Sequence, residues 1–74
     1  MTDIVLRVRL VSGDQIDVEH EDRDAASDQQ AVDHAIATLA RDAGILRCRH
    51  GDRVVVLFGR GVAAVEVAPR GAVL

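Results

Sequence analysis

The sequence predicts a small α+β domain in which one helix packs on one face of a mostly antiparallel sheet, with the element order ββαβββ. Three observations support this fold class. Apolar and polar residues alternate with a period of two over residues 4–11 and 16–20, and three further strand-like segments follow residue 44. One segment between them has helical spacing and a capping sequence. Turns that contain glycine separate the alternating segments.

The chain length indicates one domain, residues 1–74. A single core of this size rarely supplies more than ~3–5 kcal/mol of stability without a staple or a partner. Apolar residues make up 49% of the chain, which is enough to form a core. Cys48 is the only cysteine, so an internal disulfide cannot form. Oligomerisation is therefore the expected source of additional stability.

The first two predicted strands form a hairpin. Residues 4–11 and 16–20 alternate in polarity, and Ser-Gly-Asp at 12–14 has turn composition. A three-residue loop places Arg9 opposite Asp17, an opposite-charge pair that contributes ~0.2–1 kcal/mol. The same register sets further pairs opposite each other: Leu10 with Ile16, Val8 with Val18, and Arg7 with Glu19.

A helix is predicted over residues 28–43. Ser27 and Gln30 form a capping box at its start. Gly44 stands where a helix commonly ends in a glycine. The apolar residues recur at helical spacing: Val32, Ile36, Leu39 and Ala43, with Ala35 and Ala40 beside them.

Three further strands, at 45–50, 53–58 and 62–68, are predicted to form a continuous meander. Gly51-Asp52 suits a two-residue type II′ turn, because Gly is preferred at its first central position. Gly-Arg-Gly at 59–61 suits a three-residue hairpin loop. Pro69 ends the last strand, since proline cannot donate to a ladder.

The strand turns divide the meander into two faces, and the helix can cover only one of them. The other face is expected to form an apolar patch with a polar rim, which is typical of an interaction site. Either the apolar tail, residues 72–74, or curling of the sheet could cover it instead. The expected interface residues are Ile45, Val54, Val56, Phe58, Val62 and Ala64.

The charges suggest an alternative partner. The net charge is −3, but residues 12–44 carry −7 and residues 45–74 carry +3. Arginine binds phosphate through bidentate contacts, so a nucleic-acid-binding protein is the alternative function. Low pI and a single aromatic residue, Phe58, argue against it. The candidate anion or partner contacts are Arg47, Arg49 and Arg60.

Catalytic and metal sites are not expected. Cys48 and His50 share a strand face, but two residues of strand separate them by about 6–7 Å. Their spacing to His20 and His34 matches no zinc motif. We therefore expect no enzyme activity, no cofactor and no metal ligand.

The sequence start and the cysteine count bear on location. A lone cysteine fits a reducing compartment, so the cytoplasm is expected. No signal peptide is expected, because Met1-Thr2-Asp3 lacks a basic n-region and the apolar run after it is broken by Arg7 and Arg9. No run approaches the ~20 apolar residues of a membrane span, so a membrane partner is not expected.

The element order resembles that of the β-grasp (ubiquitin-like) family. The similarity covers the hairpin around Ser12-Gly13-Asp14, the helix and the return at Gly44-Ile45, roughly two thirds of the chain. It implies a sheet that wraps one helix. The C-terminal half departs from the family and has no Gly-Gly terminus, so no tagging function is implied. The sequence favours a non-catalytic protein–protein interaction module that self-associates through the outer face of the meander.

Overall fold

A computed structural model describes residues 2–67 and confirms the α+β fold class and the order ββαβββ. Beyond this shared order, the likeness to the β-grasp family stays a prediction. Predictions for Pro69 and for the tail at 72–74 lie outside the described residues. The elements are β1 (Thr2–Leu10), β2 (Gln15–Asp22), α1 (Asp28–Leu39), β3 (Ile45–His50), β4 (Arg53–Phe58) and β5 (Val62–Val67).

The five strands form one antiparallel sheet in the order β4-β3-β2-β1-β5. The predicted C-terminal meander is therefore wrong in its last step, because β5 pairs with β1 and not with β4. A turn of 3₁₀ helix, Gly59–Gly61, replaces the expected hairpin loop. Gly59 lies against the Leu39 and Arg41 carbonyls at the end of α1, and its N–H donates to the carbonyl of Gly44 at 2.8 Å, which continues the β3–β4 pairing. The 3₁₀ turn then leads the chain away from β4 to β5.

The short link between β4 and β5 shows that the sheet is strongly curled. Four strand spacings would separate the two edges of a flat sheet by about 19 Å. The link from Phe58 to Val62 reaches at most about 14 Å. The sheet must therefore bend around its buried face, with the opposite face convex and exposed.

The β1–β2 register differs from the predicted one by two residues. The structure pairs Arg7 with Asp17 and Val5 with Glu19. Leu10 closes the β1–β2 hairpin, where its N–H donates to the Asp14 carbonyl at 2.8 Å, and it also pairs with Val62 of β5. An even shift keeps every side chain on its predicted face, so alternation was read correctly although the partners were not.

Helix α1 begins as predicted and ends four residues early. The Ser27 hydroxyl accepts from the N–H of Gln30 at 3.2 Å, and the Gln30 side chain accepts from Ala26 at 2.7 Å. Ala40 forms the C-cap, and the following turn closes with a bond from Gly44 N–H to the Arg41 carbonyl. Gly44 is thus part of a tight return, where it lies against the last helical carbonyls.

The core lies between α1 and the inner face of the sheet. The small side chains of Ala31 and Ala35 let the helix approach the strands closely. Ile36, predicted to be on the apolar helix face, is half exposed. The buried sheet residues that contact this face are Ile4, Leu6, Val8, Val18, Leu46, Cys48 and Leu57.

Candidate functional site

The strongest candidate surface is the free edge of β4. Within residues 2–67, this strand has one hydrogen-bonded neighbour, β3. The two strands are joined by a two-residue turn in which Gly51 has a φ of 62°, as the predicted type II′ turn requires. The pairing runs without a register shift from His50↔Arg53 to Ile45↔Phe58. β4 therefore pairs with β3 regularly along its whole length, and its other edge has no strand neighbour within residues 2–67.

The outer face of this hairpin carries large exposed apolar side chains. The exposed fractions are 53% for Ile45, 62% for Val54, 38% for Val56 and 49% for Phe58. Ile45 pairs directly with Phe58, so the four side chains are contiguous. We call these four residues the apolar strip. Its members are the part of the predicted interface that the structure brings together.

Two predicted interface residues lie elsewhere. Val62 is partly buried and packs against the core, opposite Leu10. Ala64 is exposed but pairs with Arg9 at the opposite edge of the sheet from β4. Both were assigned to the patch because β5 was expected beside β4. The apolar strip in the structure therefore has two residues fewer than the predicted interface.

The predicted anion contacts divide into two groups. Arg47 pairs with Val56 and Arg49 with Val54, so both border the apolar strip on β3. Arg60 lies in the 3₁₀ turn, where its guanidinium carbon stands 5.7 Å from the centroid of the Phe58 ring. The three arginines thus surround the strip, and the structure does not place them in one cluster.

Acidic residues lie next to the arginines across the rest of the outer face. Arg49 pairs with Glu19 of β2. Arg7 Nε donates to the Asp17 carboxylate at 2.8 Å, and this bond lowers the pKa of Asp17. Arg9 contacts Glu66 of β5 at 3.4 Å. The sequence segments of opposite charge therefore form neighbouring columns of opposite sign, and the described part of the chain has no broad basic groove.

An apolar cleft borders the β4 edge. It has a volume of about 570 Å³ and separates β4 from the tip of the β1–β2 hairpin. The hairpin supplies Leu10, Val11 and Ile16, while the β4 wall runs from Val55 to Phe58. A partner that reached the β4 edge would therefore meet apolar surface on both sides of it.

A second cleft, lined mainly by charged and polar residues of β2 and α1, contains an Asp–His pair that sequence reasoning missed. The Asp22 side chain is nearly buried, and one oxygen accepts from the N–H groups of Asp24 and Ala25 at 3.0 and 3.1 Å. The other oxygen contacts His34 Nδ1 at 2.7 Å. No local pattern joins two residues twelve positions apart, and the pair forms because the helix packs against the end of β2. Its clear role is to anchor α1 to the sheet.

The hydrogen bond from His34, together with those from the two backbone N–H groups, lowers the pKa of Asp22 below its ordinary value of 3.8. A carboxyl group whose pKa is lower in the folded chain than in the unfolded chain stabilises the folded state at pH values above its unfolded pKa. This stabilisation is lost as the pH falls through the folded pKa. Asp22→Asn should therefore lower the thermal midpoint at pH values above about 5, and the difference from the wild type should shrink below about pH 4. Circular dichroism melts from pH 7 to pH 2 measure this.

Asp42→Asn, which alters an exposed carboxylate beyond the helix C-terminus, is the matched control and should shift the midpoint little. A difference between wild type and Asp22→Asn that stays constant down to pH 2 would show that the Asp22 charge does not stabilise the fold.

The other histidines connect β2 and β3. His20 Nδ1 contacts the Arg47 carbonyl at 2.9 Å, and His50 Nδ1 contacts the Asp17 carbonyl at 2.6 Å. A carbonyl can only accept, so each Nδ1 must carry the proton. These bonds supplement a ladder whose one paired position is Glu19↔Arg49. The two imidazoles therefore strengthen the strand pairing that holds the β3–β4 hairpin on the domain.

Cys48 is buried in the core, and burial raises its pKa to about 11. The thiol is therefore protonated at neutral pH, which makes it a weak nucleophile. Across the part of the chain that the structure describes, no three His, Cys, Asp or Glu side chains are grouped to hold a metal ion.

No helix within residues 2–67 has the length and apolar character required to span a lipid bilayer. No protein-family model, curated protein or solved structure matches the chain.

Proposed function

We propose that this chain is a non-catalytic protein–protein interaction module that self-associates through the outer face of the β3–β4 hairpin. The observation that carries the proposal is the apolar strip, four large exposed side chains at neighbouring positions on two adjacent strands. Exposed apolar groups in a contiguous patch with a charged rim are typical of association surfaces. Arg47 and Arg49 supply that rim here.

The edge strand supports the same conclusion. Natural proteins protect exposed strand edges with proline, lysine, bulges or very short strands. β4 has six residues, with no proline or lysine and no bulge against β3, and its single charge is at the first residue, Arg53. A strand of this composition at a sheet edge is suited to pairing with another chain.

Association would also add to the limited stability that a domain of this size has on its own. A partner that binds only the folded state stabilises it by mass action. No disulfide contributes, because the one cysteine is a buried free thiol. The free thiol also supports a reducing compartment, and we propose the cytoplasm as the place where the module acts.

Size-exclusion chromatography with light scattering tests the proposal. The wild type should elute with a mass of twice 7.9 kDa and should shift towards the monomer on dilution. Mass must be read by refractive index, because the chain has no Trp and no Tyr. Phe58→Arg places a charge in the apolar strip and should give a monomer at the same concentrations, with an unchanged far-ultraviolet spectrum.

Ile36→Arg is the matched control, because Ile36 is exposed to the same degree as Phe58 but lies on the helix. It should leave the mass unchanged. A monomeric wild type at all concentrations would rule out self-association, and an unchanged mass for Phe58→Arg would rule out the apolar strip as its surface. A peak that absorbs strongly in the ultraviolet and loses that absorbance in salt would instead indicate bound nucleic acid.

A further inference from the structure

Among residues 2–67, the outer edge of β4 has a defined set of backbone groups without a strand partner. In an antiparallel ladder, hydrogen-bonded and non-hydrogen-bonded pairs alternate. The bond from Gly59 N–H to the Gly44 carbonyl, and the two-residue turn after His50, fix which residues bond to β3. Arg53, Val55 and Leu57 point their N–H and C=O groups toward β3. Val54, Val56 and Phe58 therefore point theirs outward, away from β3.

We infer that β4 pairs with β4 of a second copy, antiparallel about a two-fold axis at Val56, so that two sheets join into one of ten strands. This inference rests on the proposed self-association and specifies the atoms that carry it. A two-fold interface uses the same patch on both copies, so the pairing must be self-complementary.

The backbone selects one register. When Val56 faces its own copy, Val54 faces Phe58 of the other chain, and all three outward residues form hydrogen-bonded pairs. This register makes six N–H···O bonds between the copies. Moving the axis to Val55 or to Leu57 leaves one outward residue in each chain without a partner and reduces the number to four. The axis at Val56 therefore satisfies the most edge groups.

The side chains that this register places opposite each other are also compatible in polarity. On the outer face, Val56 meets its own copy and Val54 meets Phe58, so every directly opposed pair is apolar. On the inner face, Val55 meets Leu57. Arg53, the one charge on β4, falls opposite Gly59 of the other copy and faces no like charge. The pairing therefore has no electrostatic penalty at any opposed position.

The alternative of stacking two outer faces is less suited to this surface. Packed sheets need apolar side chains across several strands of each face. Here the column next to the apolar strip contains Arg47 and Arg49, and the column after it contains Glu19 and Glu21. Edge pairing brings the two apolar strips side by side and leaves these charges in water.

A proline substitution tests the register in the full chain. Val56→Pro removes an N–H that points to the free edge and leaves every bond to β3 intact, so the monomer should keep its fold. Each dimer loses two hydrogen bonds and keeps two unpaired carbonyls. We expect the dissociation constant to rise about a hundredfold, since each loss is worth about tenfold. Light scattering across a dilution series measures the change.

A crosslinking pair gives an independent readout. In the inferred register, Val56→Cys faces its own copy at a Cα separation of about 5.5 Å, which a disulfide can span. Mild oxidation should link this variant into a covalent dimer. Val54→Cys is the control, because it lies about 14 Å from its own copy and should stay unlinked. Native Cys48 is buried and is present in both variants.

The outcomes separate the two proposals. A wild type that is monomeric at every concentration would overturn both. A dimeric wild type whose Val56→Pro variant dimerises equally well, or a Val56→Cys variant that does not crosslink, would overturn the edge pairing and leave self-association standing. Crosslinking of Val54→Cys would also overturn it, because that requires another register.

Discussion

Replacing Leu6 by alanine is expected to remove most of the stability of the folded monomer. Leu6 is fully buried in the central part of β1, opposite Val18 of β2 and Val67 of β5. Truncating a buried leucine costs about 2–5 kcal/mol, because the lost contacts leave a cavity that the surroundings fill only in part. A domain of this size holds roughly 3–5 kcal/mol. Leu6→Ala should therefore be largely unfolded at 37 °C.

Urea unfolding followed by far-ultraviolet circular dichroism measures this effect at fixed chain concentration. Ile36→Ala is the comparison, because it truncates a half-exposed side chain and should change the free energy of unfolding by about 0.5 kcal/mol or less. Equal losses for the two variants would mean that Leu6 does not belong to the core.

Gly44→Ala is expected to disrupt the return from α1 to β3. A Cβ on Gly44 would lie 1.8 Å from the Thr38 carbonyl oxygen and 2.9 Å from its carbon. Both are backbone atoms of the last helical turn, so they cannot move aside as a flexible side chain would. Overpacking of this kind costs about 1–3 kcal/mol or more. We expect a large fall in the urea midpoint, with part of the chain unfolded before denaturant is added.

Gly61→Ala is the matched control for that variant. A Cβ at Gly61 meets no atom within 4 Å and its φ is not positive, so alanine fits there. By reducing the freedom of the unfolded chain it should be neutral or stabilise by about 0.4–1 kcal/mol. If Gly44→Ala matched Gly61→Ala in stability, the close packing of Gly44 against the helix would be wrong.

Local chemistry in the sequence predicted the elements well. Ser27 and Gln30 marked the helix start, and alternation placed each side chain of β1 and β2 on the correct face. The hairpin register was missed because a shift of two residues preserves every face. The structure closes the hairpin one residue earlier than predicted: the Leu10 N–H donates to the Asp14 carbonyl at 2.8 Å, and Gly13 in the turn has a φ of 98°.

The apolar strip was predictable as far as it depends on the β3–β4 hairpin. The turn at Gly51 fixed the faces of both strands, so Ile45 and Val54 were placed correctly. Val62 and Ala64 were not, because the direction of the chain after Phe58 depends on Gly59 meeting the end of the helix. The packing of Gly59 against the end of the helix is a tertiary contact, so no periodic pattern in the sequence indicates it.

Nucleic-acid binding stays a prediction, and the arrangement of charge indicates which residues and which salt dependence a test should examine. Arg47 and Arg49 lie between the apolar strip and the acidic column of β2. A binder that used them would lose affinity steeply with added salt. Self-association through apolar side chains and backbone bonds should instead persist at high ionic strength, because screening acts on exposed charges.

Amide hydrogen exchange at Val54, Val56 and Phe58, read by nuclear magnetic resonance over a range of chain concentrations, tests self-association through β4 most directly. These three N–H groups point to the free edge, so they should exchange rapidly in the dilute monomer and be protected in the concentrated dimer. The N–H groups of Val55 and Leu57, which point toward β3, should be protected throughout. Rapid exchange of the edge groups at every concentration would contradict the pairing, as would protection that dilution does not change, since that would mean that the edge is covered within a single chain.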